Sequence, residues 1–215
     1  MKIEIAKSLL NRFVSTDKGS WMNTPTNVGR KTVATNGYRL ISVPKQGWCK
    51  TDNSAKFVNV LPVRKNMERV ILVSKIKEKL KDFPMVDCHD KVTMSCLDCG
   101  GGGSVTFKFR SCNDGEYTTE SDCPVCDTRC KVAGYDNKPN GEKELDKTEF
   151  FQIGHCIFHI DRISELMFVA ETLGVESVVL ANQTASSMSS LFIVGEAEVL
   201  LMPHVNPSKV PAKSI

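Results

Sequence analysis

Apolar and polar positions alternate at the start of the chain and then take a helical spacing. Residues 2–6 alternate as a strand would, and apolar residues between positions 8 and 14 recur as on one face of a helix. Residues 32–43 form two extended pieces around Asn36-Gly37, a dipeptide that tolerates positive φ and favours tight hairpin turns. The pattern predicts a strand, a short helix and then a hairpin.

The middle of the chain contains a strand pattern, a helix pattern and two alternating runs. Residues 57–63 read as a strand, and the helix that follows is predicted to end before Pro84. The runs KVTMSC (91–96) and SVTFKF (104–109) alternate, so we expect a hairpin whose turn contains thiols. The apolar face of the predicted helix consists of Val73, Ile76, Leu80 and Phe83.

The last third of the chain predicts a helix followed by a three-stranded meander. Residues 149–160 look extended, and an apolar stripe from Ile163 to Leu173 predicts a helix with Asp161 as its N-cap and Gly174 as its C-cap. Three strand patterns follow, and the tail from Pro203 carries no regular pattern. The three strands are ESVVLA (176–181), SLFIV (190–194) and AEVLLM (197–202).

Composition indicates a globular protein. The chain has 215 residues, 41% of them hydrophobic, and no apolar run as long as the ~18 residues of a membrane span. We therefore expect a soluble cytoplasmic protein without a membrane partner. The net charge of +3 permits a nucleic-acid partner and does not require one.

Two pairs of cysteines predict a metal site. The motifs CLDC and CPVC are separated by 23 residues, a spacing typical of a zinc ribbon. Two residues between thiolates let both sulfurs reach one tetrahedral ion at ~2.3 Å. We expect one structural Zn²⁺ bound by Cys96, Cys99, Cys123 and Cys126, because four protein thiolates leave no open position for catalysis.

The sequence leaves open other sets of metal ligands and a redox function for the cysteines. Cys112 or Cys130 could replace one of the four ligands, and His89 is a weaker donor candidate. A redox dithiol is the alternative use of a CxxC pair. Residues 110–148 are poor in apolar side chains, however, and a metal would supply folding free energy that they lack.

The sequence contains no recognisable catalytic constellation. None of the four histidines has a suitable partner nearby in sequence, and the glycines at 100–103 are not followed by the GK[ST] of a phosphate-binding loop. We therefore predict that the protein is not an enzyme.

Segments near both ends of the chain resemble the bacterial DNA polymerase sliding clamp. Residues 32–43, TVATNGYRLISV, are similar to a clamp segment of the form TVATDGHRLAV. Residues 158–205 resemble the C-terminal half-domain of a clamp, in which a strand, a helix and three strands end in a sequence like LLMPHV. The opening MKIEIAKSLL is similar to the first strand and helix of a clamp.

The resemblance implies an α+β fold of βαβββ half-domains, in this chain with an inserted zinc ribbon. It implies tethering on double-stranded DNA, recruitment of replication or transcription proteins, and assembly of several copies. The chain has room for about one clamp domain, or one and a half, besides the insertion. The DNA-contact candidates are Arg12, Lys75, Lys79 and Arg162, with Arg39 carried over from the motif.

In the family, the C-terminal motif borders an apolar pocket for partner peptides. Met202 and Pro203 match that motif, whereas His204, Val205 and the residues after them do not. The predicted segments are a clamp-like N-terminal part (1–95), a zinc-ribbon insertion (96–148), a clamp-like C-terminal half-domain (149–205) and a tail (206–215).

Two other functions stay open from the sequence. One is a zinc-ribbon module that binds another protein and does not bind DNA. The other is a thiol–disulfide or chaperone-type zinc protein, because CLDCGGGG resembles the CxxCxGxG repeats of DnaJ-type proteins, although only one such repeat is present.

Overall fold

The computed structural model describes residues 1–17, 19–52, 57, 69–110, 115–183, 188–204 and 213–214. The chain divides into two compact units, which we call unit 1 (1–84 and 145–215) and unit 2 (85–144). The described residues form three helices and mostly antiparallel strands, which confirms the predicted α+β class. Within these residues, no helix is long and apolar enough to cross a membrane. The four segment boundaries derived from the sequence stay a prediction.

A seven-stranded antiparallel sheet forms the larger part of unit 1. Its strand order is β1-β2-β3-β13-β12-β11-β4, so the strands from the two ends of the chain meet between β3 and β13. The predicted hairpin around Asn36-Gly37 joins β2 to β3, and Gly37 has a φ of 90°. The strands are β1 (Thr26–Val28), β2 (Lys31–Thr35), β3 (Arg39–Pro44), β4 (Arg69–Leu72), β11 (Ser177–Asn182), β12 (Ser190–Val194) and β13 (Ala197–Leu201).

The described part of unit 1 contains three helices: α1 (Ile3–Phe13), α2 (Val73–Leu80) and α3 (Ile160–Leu173). Helix α1 buries one face completely, and α3 ends at Gly174, whose φ of 64° satisfies the predicted C-cap. The buried side chains of α1 and α3 share one hydrophobic core with the sheet. Burial of this apolar surface is the main force that holds unit 1 together.

A second, three-stranded sheet of unit 1 has the order β10-β9-β14. Strands β9 (Phe150–Ile153) and β10 (Cys156–His159) form a hairpin, and β14 (Lys213–Ser214) pairs with β9 in parallel. Strand β10 leads directly into α3, and β11, β12 and β13 follow. The order β10-α3-β11-β12-β13 is the βαβββ arrangement expected from the sequence.

Two two-stranded sheets form from the described residues of unit 2. Strand β5 (Met85–Ser95) pairs with β8 (Lys131–Leu145), and β6 (Ser104–Arg110) pairs with β7 (Glu116–Asp122). The predicted hairpin between 91–96 and 104–109 is therefore wrong in its pairing, although both segments are strands. The turn that contains Cys96 and Cys99 sends the chain into a second sheet, which a pattern of alternation does not reveal.

Two further predictions near helix ends are wrong. Residues 2–6 are not a strand, because α1 already begins at Ile3 and buries Ala6 on the same face as Leu9 and Leu10. Asp161 is not an N-cap, because α3 begins one residue earlier and His159 occupies the cap position. In both cases the helix extends further toward its N-terminus than the apolar pattern indicated.

The remaining predicted elements have mixed outcomes. The three strands of the meander are confirmed as β11, β12 and β13, and the helix before Pro84 is confirmed as α2. Lys213–Ser214, predicted to be irregular, form β14. The predicted strand 57–63 lies outside the described residues except for the buried Phe57.

Candidate functional sites

Four cysteines of unit 2 meet at the base of the β6–β7 hairpin. Cys96 follows β5 directly and Cys99 lies in the next turn, whereas Cys123 and Cys126 follow the end of β7. Their sulfur atoms all lie within 4.8 Å of one another. The structure therefore brings together the four residues that the sequence predicted as ligands.

The sulfur separations fit a tetrahedral metal. The Cys96 and Cys123 Sγ atoms are 3.8 Å apart, and those of Cys99 and Cys126 are 3.7 Å apart. A tetrahedral ion with metal–sulfur bonds of ~2.3 Å requires edges of about 3.8 Å. These two distances are too long for disulfides and match two edges of a tetrahedral thiolate site.

Glycines allow backbone amides to reach the first pair of cysteines. The Gly101 amide donates to the Cys96 carbonyl at 3.0 Å, and the Gly103 amide donates to the Cys99 Sγ at 3.3 Å. Both glycines have positive φ (83° and 82°), and a Cβ on Gly103 would lie 3.2 Å from the Cys130 sulfur. The turn thus requires glycine for the amide to approach the sulfur.

The second turn contains an unusual run of left-handed residues. Asp127, Thr128 and Cys130 have φ values of 50°, 59° and 62°, which ordinary side chains disfavour. The Arg129 amide and its Nε both donate to the Cys126 carbonyl at 3.0 Å. A bound cation at the thiolates would offset the cost of this backbone conformation.

The electrostatics of the cluster favour a cation. The Gly103 amide lowers the pKa of Cys99 to about 7, whereas burial raises the pKa of Cys126 to about 12. Several negative sulfurs cannot be buried side by side without a positive charge between them. A divalent metal with affinity for sulfur would supply that charge.

The alternative ligands lie elsewhere or outside the described residues. The Cys130 thiol donates to the Thr128 carbonyl at 3.2 Å and is not a member of the group of four. His89 contacts the Asp136 carbonyl through Nδ1 at 2.7 Å. Cys112 lies outside the described residues.

A second candidate site forms in unit 1, where the two clamp-like segments meet. Leu40 on β3 is opposite Leu200 on β13, and the Met202 amide donates to the Tyr38 carbonyl at 3.0 Å. Tyr38 and Met202 remain exposed (64% and 38%) beside a small groove of about 60 Å³. The groove is lined by Thr35, Gly37, Tyr38, Arg39, Leu40, Leu200 and Met202.

Arg162 of α3 holds the two segments together. Its Nη1 donates to the carbonyls of Tyr38 (3.2 Å) and Met202 (3.0 Å), and its guanidinium lies 5.3 Å from the Tyr38 ring centroid. The side chain is only 15% exposed. Arg162, selected from the sequence as a DNA contact, has internal partners at the end of the groove.

Arg12 and Arg39 share one buried carboxylate. Arg12 Nε lies 2.8 Å from Glu165 Oε2, and Arg39 Nη1 lies 2.9 Å from Glu165 Oε1. Glu165 is buried, and Arg12 is about half exposed beside a cavity of about 590 Å³ next to the groove. The sequence analysis missed Glu165, which occupies an apolar position in the stripe of α3 and has no motif of its own.

Lys75 and Lys79 lie on α2, both of them exposed. Lys79 Nζ is 3.8 Å from an Asp82 carboxylate oxygen, a weak exposed pair, and the intervening Lys77 pairs with Glu171 at 2.7 Å. Of the five proposed DNA contacts, these two lysines have the most exposed charge together with Arg12.

No protein-family model matches the sequence, and no curated protein matches it. Among solved structures, the chain is similar to bacterial sliding clamps, the family that residues 32–43 and 158–205 resemble. It is 12% identical to the DNA polymerase sliding clamp from Pseudomonas aeruginosa, with a TM-score of 0.45. The matched region covers 93% of this chain and 63% of the clamp.

Clamps from two other bacteria give similar values. The DNA polymerase III beta subunit from Caulobacter crescentus is 12% identical with a TM-score of 0.46, over 93% of this chain and 63% of that one. For the beta subunit from Borrelia burgdorferi, the identity is 11% and the TM-score 0.45, over 93% and 61% of the two chains. The chain spans about three fifths of the length of these clamps.

Proposed function

We propose that this chain is a non-catalytic, clamp-like binding protein of the cytoplasm that tethers or recruits replication or transcription proteins on double-stranded DNA. The observation that carries the proposal is the meeting of residues 32–43 and 158–205 across β3 and β13. These are the two segments that resemble a clamp, and together they form the groove at Tyr38 and Met202.

The charge distribution supports a DNA partner for unit 1. Residues outside 85–144 contain 21 lysines and arginines against 14 aspartates and glutamates, a net charge of +7. Lysine and arginine side chains bind phosphates without reading sequence and release counterions, so such binding weakens with salt. Lys75 and Lys79 are our first candidates, with Arg12, Arg39 and Arg162 as further ones.

The DNA test is fluorescence anisotropy of a labelled duplex with the full chain at several salt concentrations. We expect binding at low salt, and we expect Lys75→Glu with Lys79→Glu to reduce the slope of log affinity against log salt by about two. The matched control is Lys91→Glu with Lys131→Glu, which makes the same charge change on exposed positions of unit 2. Absence of duplex binding at low salt, or equal losses in both variants, contradicts the proposal.

Assembly of several copies is part of the same proposal. Among the described residues, strand β4 is at the edge of the seven-stranded sheet, and its Val70 and Leu72 are exposed (63% and 45%). An exposed apolar edge strand favours pairing with another chain. Light scattering should give a multimeric mass, and Val70→Lys should reduce it. A monomer at all concentrations contradicts this part.

The groove can be probed with a known clamp ligand. One solved structure is a sliding clamp from Pseudomonas aeruginosa bound to griselimycin, to which this chain is 10% identical. We expect calorimetry to detect griselimycin binding to the full chain and a loss with Met202→Asp. Met85→Asp, at an equally exposed methionine of unit 2, is the control. Unchanged affinity in Met202→Asp contradicts a role for the groove.

We also propose that the four cysteines bind one structural Zn²⁺. The sulfur distances and the sulfur-only donor set support zinc, although iron also accepts four thiolates. Elemental analysis of the native protein should give about one zinc per chain, and Cys126→Ser should remove it. One iron per chain, or metal retained by Cys126→Ser, contradicts the assignment.

A second candidate function is a zinc-ribbon module that binds another protein without DNA. The observation that favours it is the exposure of Leu97 (87%) and Val125 (52%) at the two metal turns. Leu97→Asp with Val125→Asp should abolish capture of a specific protein while the metal content stays unchanged. This function, and not the first, applies if the chain is a monomer that ignores duplex DNA.

A further inference from the structure

The β6–β7 hairpin of unit 2 has an aromatic face. Phe109 is paired directly with Tyr117, and Phe107 lies two residues before Phe109, so the three rings lie on the same side. All three are exposed, at 45% for Phe107, 51% for Phe109 and 55% for Tyr117. Phe107 and Phe109 at alternate positions of β6, with Tyr117 opposite Phe109, form an exposed aromatic surface on this face.

The opposite face of the same hairpin is acidic along β7. Glu116, Glu120 and Asp122 alternate with the aromatic side of that strand. Arg110 lies 3.6 Å from Glu116, and the Ser104 hydroxyl donates to Glu120 at 2.6 Å. The basic residues of this face are on β6, one strand further from the outer edge of β7.

Strand β7 also presents a free edge. Within the part of the chain that the structure describes, its sheet contains β6 and β7 alone, and all seven residues of β7 are exposed. The outer edge of such a strand carries backbone donors and acceptors that can pair with an added strand. A strand added there would lie beside Tyr117 on one side, with the β6 rings one strand further away, and beside carboxylates on the other.

The net charge of unit 2 indicates whether a nucleic acid or a polypeptide would bind at this edge. Residues 85–144 contain seven lysines and arginines against eleven aspartates and glutamates, a net charge of −4. Four thiolates around a divalent ion would add further negative charge. A phosphate backbone is repelled by such a unit, whereas a basic polypeptide is attracted to it.

We propose that the β7 edge binds an extended, basic segment of a partner protein, which adds as a third strand to the hairpin. Apolar side chains of the segment contact Tyr117, the ring of the aromatic face that lies on β7, and the alternate lysines or arginines face Glu116, Glu120 and Asp122. The inference rests on the second candidate function, for which it names a surface and a class of partner.

The test uses the full, metal-loaded chain and two labelled peptides of nine residues. One peptide alternates lysine with valine, and the other alternates glutamate with valine. We expect anisotropy to show binding of the lysine peptide only, and backbone NMR shifts to change mainly in β7. Binding of neither peptide, equal binding of both, or stronger binding of a single-stranded oligonucleotide overturns the proposal.

Matched variants locate the surface. Tyr117→Ala should weaken binding of the lysine peptide about tenfold, because the apolar contact of the ring with the valines of the peptide is lost. Tyr135→Ala removes an exposed ring of β8 and should leave the affinity unchanged. Glu120→Lys with Asp122→Lys tests the acidic face and should abolish binding.

The outcomes separate this inference from the second candidate function. Metal content and the melting temperature of each variant report whether the hairpin still folds. A protein captured through Leu97 and Val125, together with failure of the lysine peptide, removes the inference and leaves the module function standing. Peptide affinity that is lost equally in the Tyr135→Ala control overturns the inference.

Discussion

The Met202 amide donates a hydrogen bond to the Tyr38 carbonyl, at 3.0 Å, and so connects segments from opposite ends of the chain. Arg162 strengthens this connection, because its Nη1 donates to the carbonyls of the same two residues. Tyr38 and Met202 also line the groove. The shape of the groove therefore depends on one arginine of α3.

Replacement of Arg162 by alanine should destabilise unit 1 by about 2 kcal/mol, because two carbonyls lose a charged donor. Denaturant unfolding of the variant measures this loss. Arg30→Ala, which removes an exposed arginine of the same unit, should change the free energy of unfolding by less than about 0.5 kcal/mol. Equal losses in the two variants would show that the carbonyl contacts of Arg162 contribute nothing.

Glu165 should be the most sensitive carboxylate of unit 1. Glu165→Gln removes the buried charge between Arg12 and Arg39, and we expect a loss of about 3 kcal/mol in the free energy of unfolding. Glu171→Gln is the matched control, because its pair with Lys77 is about half exposed on both sides and should contribute less than about 0.5 kcal/mol. A mild effect at Glu165 would mean that the two arginines find water or other acceptors.

The sequence predicted the elements of unit 1 better than their ends or their contacts. Long apolar stripes and strand runs gave α2, α3 and the three-stranded meander, because burial on one face imposes a clear period. The start of α1 was missed because a few alternating residues before a helix look the same as a strand. The role of Glu165 was invisible because its partners come from α1 and β3, far away in the chain.

The same contrast holds in unit 2: features that depend on neighbouring residues could be predicted from the sequence, and features that depend on distant residues could not. The cysteine spacing predicted the group of four, since two residues between thiolates suffice for a tetrahedral site. The pairing of β5 with β8 is not local, and nothing in the alternation of either strand specifies its partner. The three left-handed residues after Cys126 also lack a sequence signal, because none of them is glycine.

Acidification should weaken unit 1 through His159. Burial lowers the pKa of His159 below its ordinary value, and its ring packs 4.5 Å from Phe150 and 5.2 Å from His204. A histidine with a depressed folded-state pKa gives stability above the unfolded pKa of about 6.5, and this stability is lost as the pH falls. Unfolding free energies measured between about pH 8 and about pH 5 test this effect.

His159→Phe should flatten this pH dependence, because the aromatic contacts remain without a titrating group. His155→Gln replaces an exposed histidine at the β9–β10 turn and should leave the pH dependence as it is in the unchanged protein. If both variants keep the pH dependence of the unchanged protein, His159 is not the group responsible for the loss of stability in acid.

Loss of one cysteine ligand should unfold unit 2 before unit 1. Cys123→Ser removes a corner of the thiolate site, and the proposed metal would be the main source of stability for a unit whose buried hydrophobic cluster consists of Cys96, Cys123 and Cys126. Backbone amides across 85–144 should then lose protection from hydrogen exchange, while those in the core of 145–201 and in α1 keep it.

Cys130→Ser is the control for this prediction. The Cys130 thiol is not in the group of four, so its replacement should leave one metal per chain. Simultaneous loss of protection in both units would mean that they fold as one cooperative body, and metal loss in Cys130→Ser would make Cys130 a ligand.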